Sequence, residues 1–221
     1  MHTFISLRVR IRTASQEEFQ YASSKFQQTW AAEKGPCPEV KFVFTIRNPA
    51  VKRRWYIYKL RLKMTLRPTN VEQYFHGTKL SCNITKRNSI CHSKNCAICG
   101  LSKFGFDRNK IGSNITFKRF GPAYYLAPNS SKSNDYAKDK GHDGYSAMLL
   151  CDTLPGRKYE VQDDDRTRQH APFGYNCVYG RSGHALNYDE IVFYKPDPVV
   201  PRYIIVYKPI NSHVDHSNVY K

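Results

Sequence analysis

The sequence predicts an α+β fold, and three observations predict it. Residues 15–33 combine a helix-capping signal with apolar side chains on one helical face. Runs rich in β-formers recur downstream at 39–46, 71–78, 120–126, 145–151, 186–194 and 201–207, punctuated by turn and loop residues. At 221 residues, with 40% hydrophobic and 14% aromatic content, the chain is long enough for one domain whose core needs no disulfide staples.

In the first element, Ser15 followed three residues later by Glu18 is a capping box, and Phe19, Phe26 and Trp30 fall on one face. The helix is expected to cover a sheet and to end at GPCP, 35–38. The run 39–46, EVKFVFTI, reads as a strand, and Asn48-Pro49 turns the chain. Residues 51–66, VKRRWYIYKLRLKMTL, read as a strand or helix with a solvated basic face. The alternative is a nucleic-acid platform built on Trp55, Tyr56 and Tyr58.

At 71–78, VEQYFHGT, a short strand would place His76 where the chain turns, with Gly77 allowing close approach to the backbone. The stretch 120–136, FGPAYYLAPNSSKSNDY, holds a strand-like aromatic run, a turn and the start of a helix. Hydroxyls, aromatic faces and free backbone N–H groups can converge there on one ligand. A buried strand follows at 145–151. Residues 156–168 read as a polar loop, in which Asp163, Asp164 and Asp165 form a solvated acidic stretch, a hard cation being the alternative. The runs 186–194 and 201–207 are joined by KPDPVV, a link that suits neighbouring strands. Glu190 opens the first of them, where a carboxylate is costly unless it has a task or a partner. The tail, 209–221, is polar and expected to fray.

The balance of 35 Lys+Arg against 18 Asp+Glu gives a net charge of +17 and a pI near 9.6. Such a surface attracts phosphates, so nucleic acid is a candidate partner, although anionic cofactors fit equally well. No apolar run approaches the ~20 residues of a membrane span, and the opening MHTFISLRVRIR lacks the clean apolar core of a secretory signal. No membrane partner is expected. Four of the seven cysteines, Cys82, Cys91, Cys96 and Cys99, lie close together. That clustering favours a structural zinc site in a reducing compartment over a disulfide framework, with His92 as a substitute ligand. Three N-x-S/T sequons, at Asn83, Asn114 and Asn129, point mildly the other way, but a glycan on Asn129 would block the predicted pocket. The expected location is therefore intracellular, nuclear or cytoplasmic.

Three separated pieces, FHGT at 75–78, FGPAYYLAPNSSKSNDY at 120–136 and YDEIVFYKPDPVVPRYIIVY at 188–207, together resemble the catalytic domain of the poly(ADP-ribose) polymerase family, the diphtheria-toxin-like ADP-ribosyltransferases. The N-S-S-K-S-N and Y-x-E-x-V-x-Y pieces are tankyrase-like, and the cysteine cluster is similar to that of fungal-type members. The resemblance implies a fold of two packed, mainly antiparallel sheets with flanking helices and a small zinc-stabilised insertion at 82–99. Its expected organisation is a helical lead-in at 1–38, a catalytic domain at 39–208 and a flexible tail at 209–221.

It also implies a substrate, NAD, and a triad of His76, Tyr125 and Glu190. His76 would bond the adenosine-side ribose, Gly77 would pair through its backbone with the nicotinamide carboxamide, and Thr78 would assist adenosine-side binding. Tyr125 and Tyr136 would stack on the two faces of the nicotinamide, Ser133 would bond its carboxamide, and Lys132 would line the site. Glu190 would hold the 2′-hydroxyl of the nicotinamide ribose. The expected reaction is transfer of single ADP-ribose units to a protein, since the loop at 156–173 is short. An NAD glycohydrolase, a silent NAD- or ADP-ribose-binding module and a basic zinc nucleic-acid-binding protein are the alternatives. One departure from the family pattern, Ala123 where a glycine is usual, is expected to narrow the site or to need a different backbone angle.

Overall fold

The computed structural model describes residues 9–107, 119–137, 143–184 and 186–210. The sequon at Asn114 and all but the first two residues of the predicted tail lie outside the described residues.

In order, the elements are β1 (Arg10–Thr13), α1 (Gln16–Gln28), β2 (Glu39–Arg47), α2 (Pro49–Met64), β3 (Glu72–Gly77), α3 (Ile84–Arg87), α4 (Ala97–Phe104), β4 (Tyr124–Leu126), α5 (Ser130–Asn134), β5 (Ser146–Thr153), β6 (Lys158–Val161), β7 (Cys177–Gly180), β8 (Glu190–Phe193) and β9 (Val199–Lys208). They form a five-stranded sheet in the order β1-β2-β9-β5-β3 and a four-stranded sheet in the order β4-β8-β7-β6. All pairings are antiparallel except β6 with β7.

Helix α1 begins where the capping box puts it. The Ser15 hydroxyl accepts from the Glu18 N–H, and the Glu18 carboxylate accepts from the Ser15 N–H at 2.9 Å. It ends at Gln28, short of the predicted 33, with a 3-10 turn at Ala32–Lys34 before the Gly35 break. Its inner residues Ala22 and Phe26 pack on Val43, Phe75, Met148, Leu150, Ile205 and Tyr207, on one face of the large sheet. Full burial of a side chain such as Phe26 contributes roughly 1.5–3 kcal/mol.

The other face of that sheet, through Tyr74, Leu149, Ile204 and Val206, packs on Tyr124, Tyr179, Ile191 and Phe193 of the small sheet and on the cysteine stretch. One backbone bridge stitches the two sheets together. Phe75 N–H donates to Ala127 C=O at 2.8 Å, and Ala127 N–H donates back at 2.9 Å.

Four expectations change. Asn48-Pro49 starts a helix instead of only turning the chain: the Asn48 side chain caps Val51 N–H, and Pro49 sits in the first turn. Residues 51–64 are thereby settled as helix, with Trp55 and Tyr58 turned in toward Leu154, so only Tyr56 of the three aromatics is exposed and no stacking platform forms. Within the polar loop, 158–161 is a strand, polar because it is a half-exposed edge. The runs before and after KPDPVV are not neighbours: β8 lies in the small sheet and β9 in the large one, so the link crosses between them. Edge strand β1, with only Ile11 partly buried, shows too little alternation to be read from sequence.

Candidate functional site

The bridge at Phe75 and Ala127 decides what faces what at the mouth between the sheets. It sets the end of β3 beside β4, so His76 Nδ1 lies 2.9 Å from the Tyr125 carbonyl. A carbonyl only accepts, so Nδ1 carries the proton. Burial lowers the His76 pKa, partly offset by that bond, which keeps the ring neutral and leaves Nε2 with a lone pair for a hydroxyl donor. Phe106 packs edge-on to the ring, with centroids 5.0 Å apart.

Gly77 follows, and its glycine character is required by contact. A Cβ there would lie 1.7 Å from the Ser133 carbonyl oxygen, so the end of β3 runs against the backbone of α5. Thr78 is half-buried just beyond.

Tyr125 is fixed at both ends. Its backbone pairs with Val192 of β8, and its hydroxyl donates to Gly121 C=O at 2.7 Å while accepting from Phe120 N–H at 2.9 Å. Gly121 makes that turn possible, with φ of +69° and a position where a Cβ would lie 1.8 Å from Arg168 C=O. Ala123 needs no unusual backbone angle, since its φ is not positive, and its buried methyl packs with Phe120, Val178, Leu186 and Val192 in the cluster that Tyr125 also joins.

The serine-rich turn is tied to the end of α1. Ser130 Oγ donates to Phe26 C=O at 2.6 Å, and Ser131 Oγ accepts from Ala31 N–H at 3.2 Å. Ser133 is buried, whereas Tyr136 is half exposed. The Lys132 ammonium lies 5.5 Å from the Tyr136 ring centre and 5.6 Å from that of Tyr188. On Tyr188 also sits Lys34, itself paired with Asp135 at 3.0 Å. Sequence reasoning holds Tyr188 only as the first residue of the Y-x-E-x-V-x-Y piece and passes over Lys34, which no local signal marks.

Glu190 opens β8 opposite Gly180, on the same face of the small sheet as Val192 and Tyr125. It is 6% exposed, and its Oε1 has no hydrogen-bond partner among the described residues. Burial raises its pKa, and the charges of Lys132 and Arg119 pull it part of the way back. A buried carboxylate oxygen without a partner is costly in a finished structure, and a ligand hydroxyl would satisfy it. The preceding Asp189, which sequence reasoning passed over, anchors the turn into β8. It accepts from Ser182 N–H at 2.7 Å, Ser182 Oγ at 2.8 Å and the Tyr179 hydroxyl at 2.9 Å.

Away from this opening, the sulfurs of Cys82, Cys91, Cys96 and Cys99 lie within 4.8 Å of one another, all four residues buried. Cys82 to Cys99 and Cys82 to Cys96 are both 3.7 Å. Tetrahedral zinc with bonds of about 2.3 Å has sulfur–sulfur edges of about 3.8 Å, so the donor set fits that ion. N–H groups of Ser81 and Cys91 point at the sulfurs of Cys96 and Cys99. Hydrogen bonds from Cys82 and Cys99 lower the pKa of the Cys96 thiol. His92 is exposed and outside the cluster, so it is no substitute ligand. The acidic stretch holds no cation cluster among the described residues: Asp163 pairs with His184, Asp164 with Arg166 and Asp165 with Arg168.

A family profile described as the poly(ADP-ribose) polymerase catalytic domain matches residues 16–220. The chain is also similar to a curated human protein, protein mono-ADP-ribosyltransferase PARP4 of Homo sapiens, at 30% identity over 106 residues. That match covers 46% of this chain and 6% of the human protein's length.

Proposed function

Because this chain belongs to the poly(ADP-ribose) polymerase catalytic-domain family, we propose that it is an ADP-ribosyltransferase, moving single ADP-ribose units from NAD to a protein and releasing nicotinamide. The observation that carries this reading is Glu190, a buried carboxylate with an unpartnered oxygen on the face that also presents Tyr125. In this reading His76 accepts from an adenosine-side ribose hydroxyl through Nε2. The backbone of Gly77 pairs with the carboxamide, helped by Ser133, and Thr78 supports the adenosine side. Tyr125 and Tyr136 stack on the two faces of the nicotinamide ring.

The chemistry follows from those placements. As the bond between ribose C1′ and the nicotinamide nitrogen breaks, its electron pair neutralises the ring nitrogen and positive charge develops on the ribose. The Glu190 carboxylate, accepting from the 2′-hydroxyl, stabilises that charge more in the transition state than in bound substrate. Stacked tyrosines and carboxamide hydrogen bonds restrain the leaving ring while the bond stretches. An acceptor nucleophile then bonds to C1′ and gives up its proton to water. Lys132, close to both Tyr136 and Tyr188, opposes the rise that burial imposes on the Glu190 carboxyl.

The four cysteines would hold a structural zinc, which crosslinks the insertion and takes no part in the reaction. Four clustered thiols call for a reducing compartment, which supports an intracellular location. A fluorescent fusion confined to the secretory pathway would contradict that.

Labelled NAD tests the reaction. With label on the adenylate, the purified protein is expected to label itself or a protein mixture and to release an equal amount of nicotinamide. Free ADP-ribose with no labelled protein would replace the transferase by a glycohydrolase, and binding without nicotinamide release would make it a silent module.

A further inference from the structure

Helix α2 is basic throughout, with six Lys and Arg residues over Pro49–Met64 and no acidic one. Its inner side, Val51, Trp55, Tyr58 and Leu62, packs on the body of the protein. A second apolar row runs along its outer side. Ile57, Leu60 and Met64 are 40%, 42% and 83% exposed, with Tyr56 beside them at 57%. The spacing from 57 to 60 to 64 is three then four, the interval of a coiled-coil seam, carried over a helix about 24 Å long. On such a seam Arg54 and Arg61 flank one side and Lys63 with Tyr56 the other.

That layout narrows the occupant by charge. A second copy of α2 would set cations against cations. A nucleic-acid backbone would meet a centre made of aliphatic side chains instead of charge. Lipid would need a broader apolar face than a row one side chain wide, interrupted by Arg53. An apolar row with carboxylates on both flanks, and one more at the end that meets Arg53, fits this layout.

We propose that α2 is a docking surface for an acidic amphipathic helix of a partner protein, whose aliphatic row covers Ile57, Leu60 and Met64 and whose carboxylates pair with Arg54, Arg61 and Lys63. The surface is formed by side chains that have no part in the transferase reading, so the two stand or fall separately.

The probe is a fluorescein-labelled synthetic peptide of three heptads, with Leu at both seam positions and Glu on both flanks, titrated by fluorescence anisotropy against the full chain. Saturable one-to-one binding is expected, weakened about tenfold by Leu60→Asp, by the double change Arg61→Glu with Lys63→Glu, and by scrambling the peptide at constant composition. The variants should melt with the wild type because the residues are exposed. If Leu60→Asp lowers the melting temperature, Met64→Asp is read in its place. Equal binding of the scrambled peptide, indifference to the seam variants, or no binding of the peptide would overturn the proposal. So would tighter, Leu60-dependent binding to phosphatidylserine vesicles or to a 20-nucleotide single strand.

Discussion

The four sulfurs of the cysteine cluster come from one short stretch of chain, whereas His76, Tyr125 and Glu190 arrive on three strands far apart in sequence. The sulfurs face one another and sit in the main core beside Leu80, Ile98 and Ile191, so their positions and the fold depend on each other. The three strand residues are set by register: the Phe75 bridge to Ala127 brings His76 to the Tyr125 carbonyl, and the β4–β8–β7 pairing sets Glu190 on the face of Tyr125 and Val192. Glu190 is left with an unpartnered oxygen there. The cysteine cluster closes on itself, whereas the strand residues are those that the proposed function turns toward NAD. Damage to the first should therefore appear in stability, and damage to the second in turnover.

The largest effect expected on stability comes from Cys96→Ser. Structural zinc in small modules contributes on the order of 10 kcal/mol, and a protein of this size loses about 2–4 °C of melting temperature per kcal/mol. A drop of about 20 °C or more, with zinc falling from near one equivalent to near none by metal analysis, is the expected result. A zinc-free wild type that melts together with the variant would remove the metal from the account.

Next is Gly77→Ala, which forces a methyl into the Ser133 carbonyl and should cost about 3 kcal/mol in a urea titration. Gly100→Ala is its control, since nothing lies within 4 Å of a Cβ there and the change replaces a helical glycine, so it should be neutral or stabilising by up to about 1 kcal/mol. Similar losses at both positions would contradict the close approach of β3 to α5.

A smaller change tests the electrostatics of the opening. Burial raises the Glu190 pKa and the Lys132 charge opposes that. The working form is the carboxylate, so activity should fall as pH drops through that raised pKa, and Lys132→Met should move the fall to higher pH. A pH–rate profile with an unchanged midpoint would separate Lys132 from Glu190. Smallest of all, Ser15→Ala removes one half of the α1 capping box and should cost about 1 kcal/mol with turnover unaltered.

The comparison also explains what was legible in the sequence. A capping box, a metal-like cysteine spacing and the strand around Glu190 are signals carried by neighbouring residues, and each stands where sequence reasoning put it. What escaped depends on pairing across the chain. Strand β6 is polar because it is an edge, and its partner β7 lies beyond a loop. The crossing of KPDPVV from the small sheet to the large one is invisible locally, since a short link between two β-rich runs looks the same as a hairpin. The side on which Ala123 places its methyl is set by the face that β4 turns to Val178 and Val192, and Lys34 meets Tyr188 across 154 residues of chain.

The central claim is that Glu190 acts on the breaking bond and hardly on binding. Wild type and Glu190→Gln, matched in melting temperature, should be compared side by side for nicotinamide release from NAD and for affinity toward an NAD analogue that cannot be cleaved. The account predicts that release falls by about 10²–10³ while the analogue binds the two proteins within a few-fold of each other. Release at the wild-type rate from the variant, or analogue binding lost together with release, would contradict it.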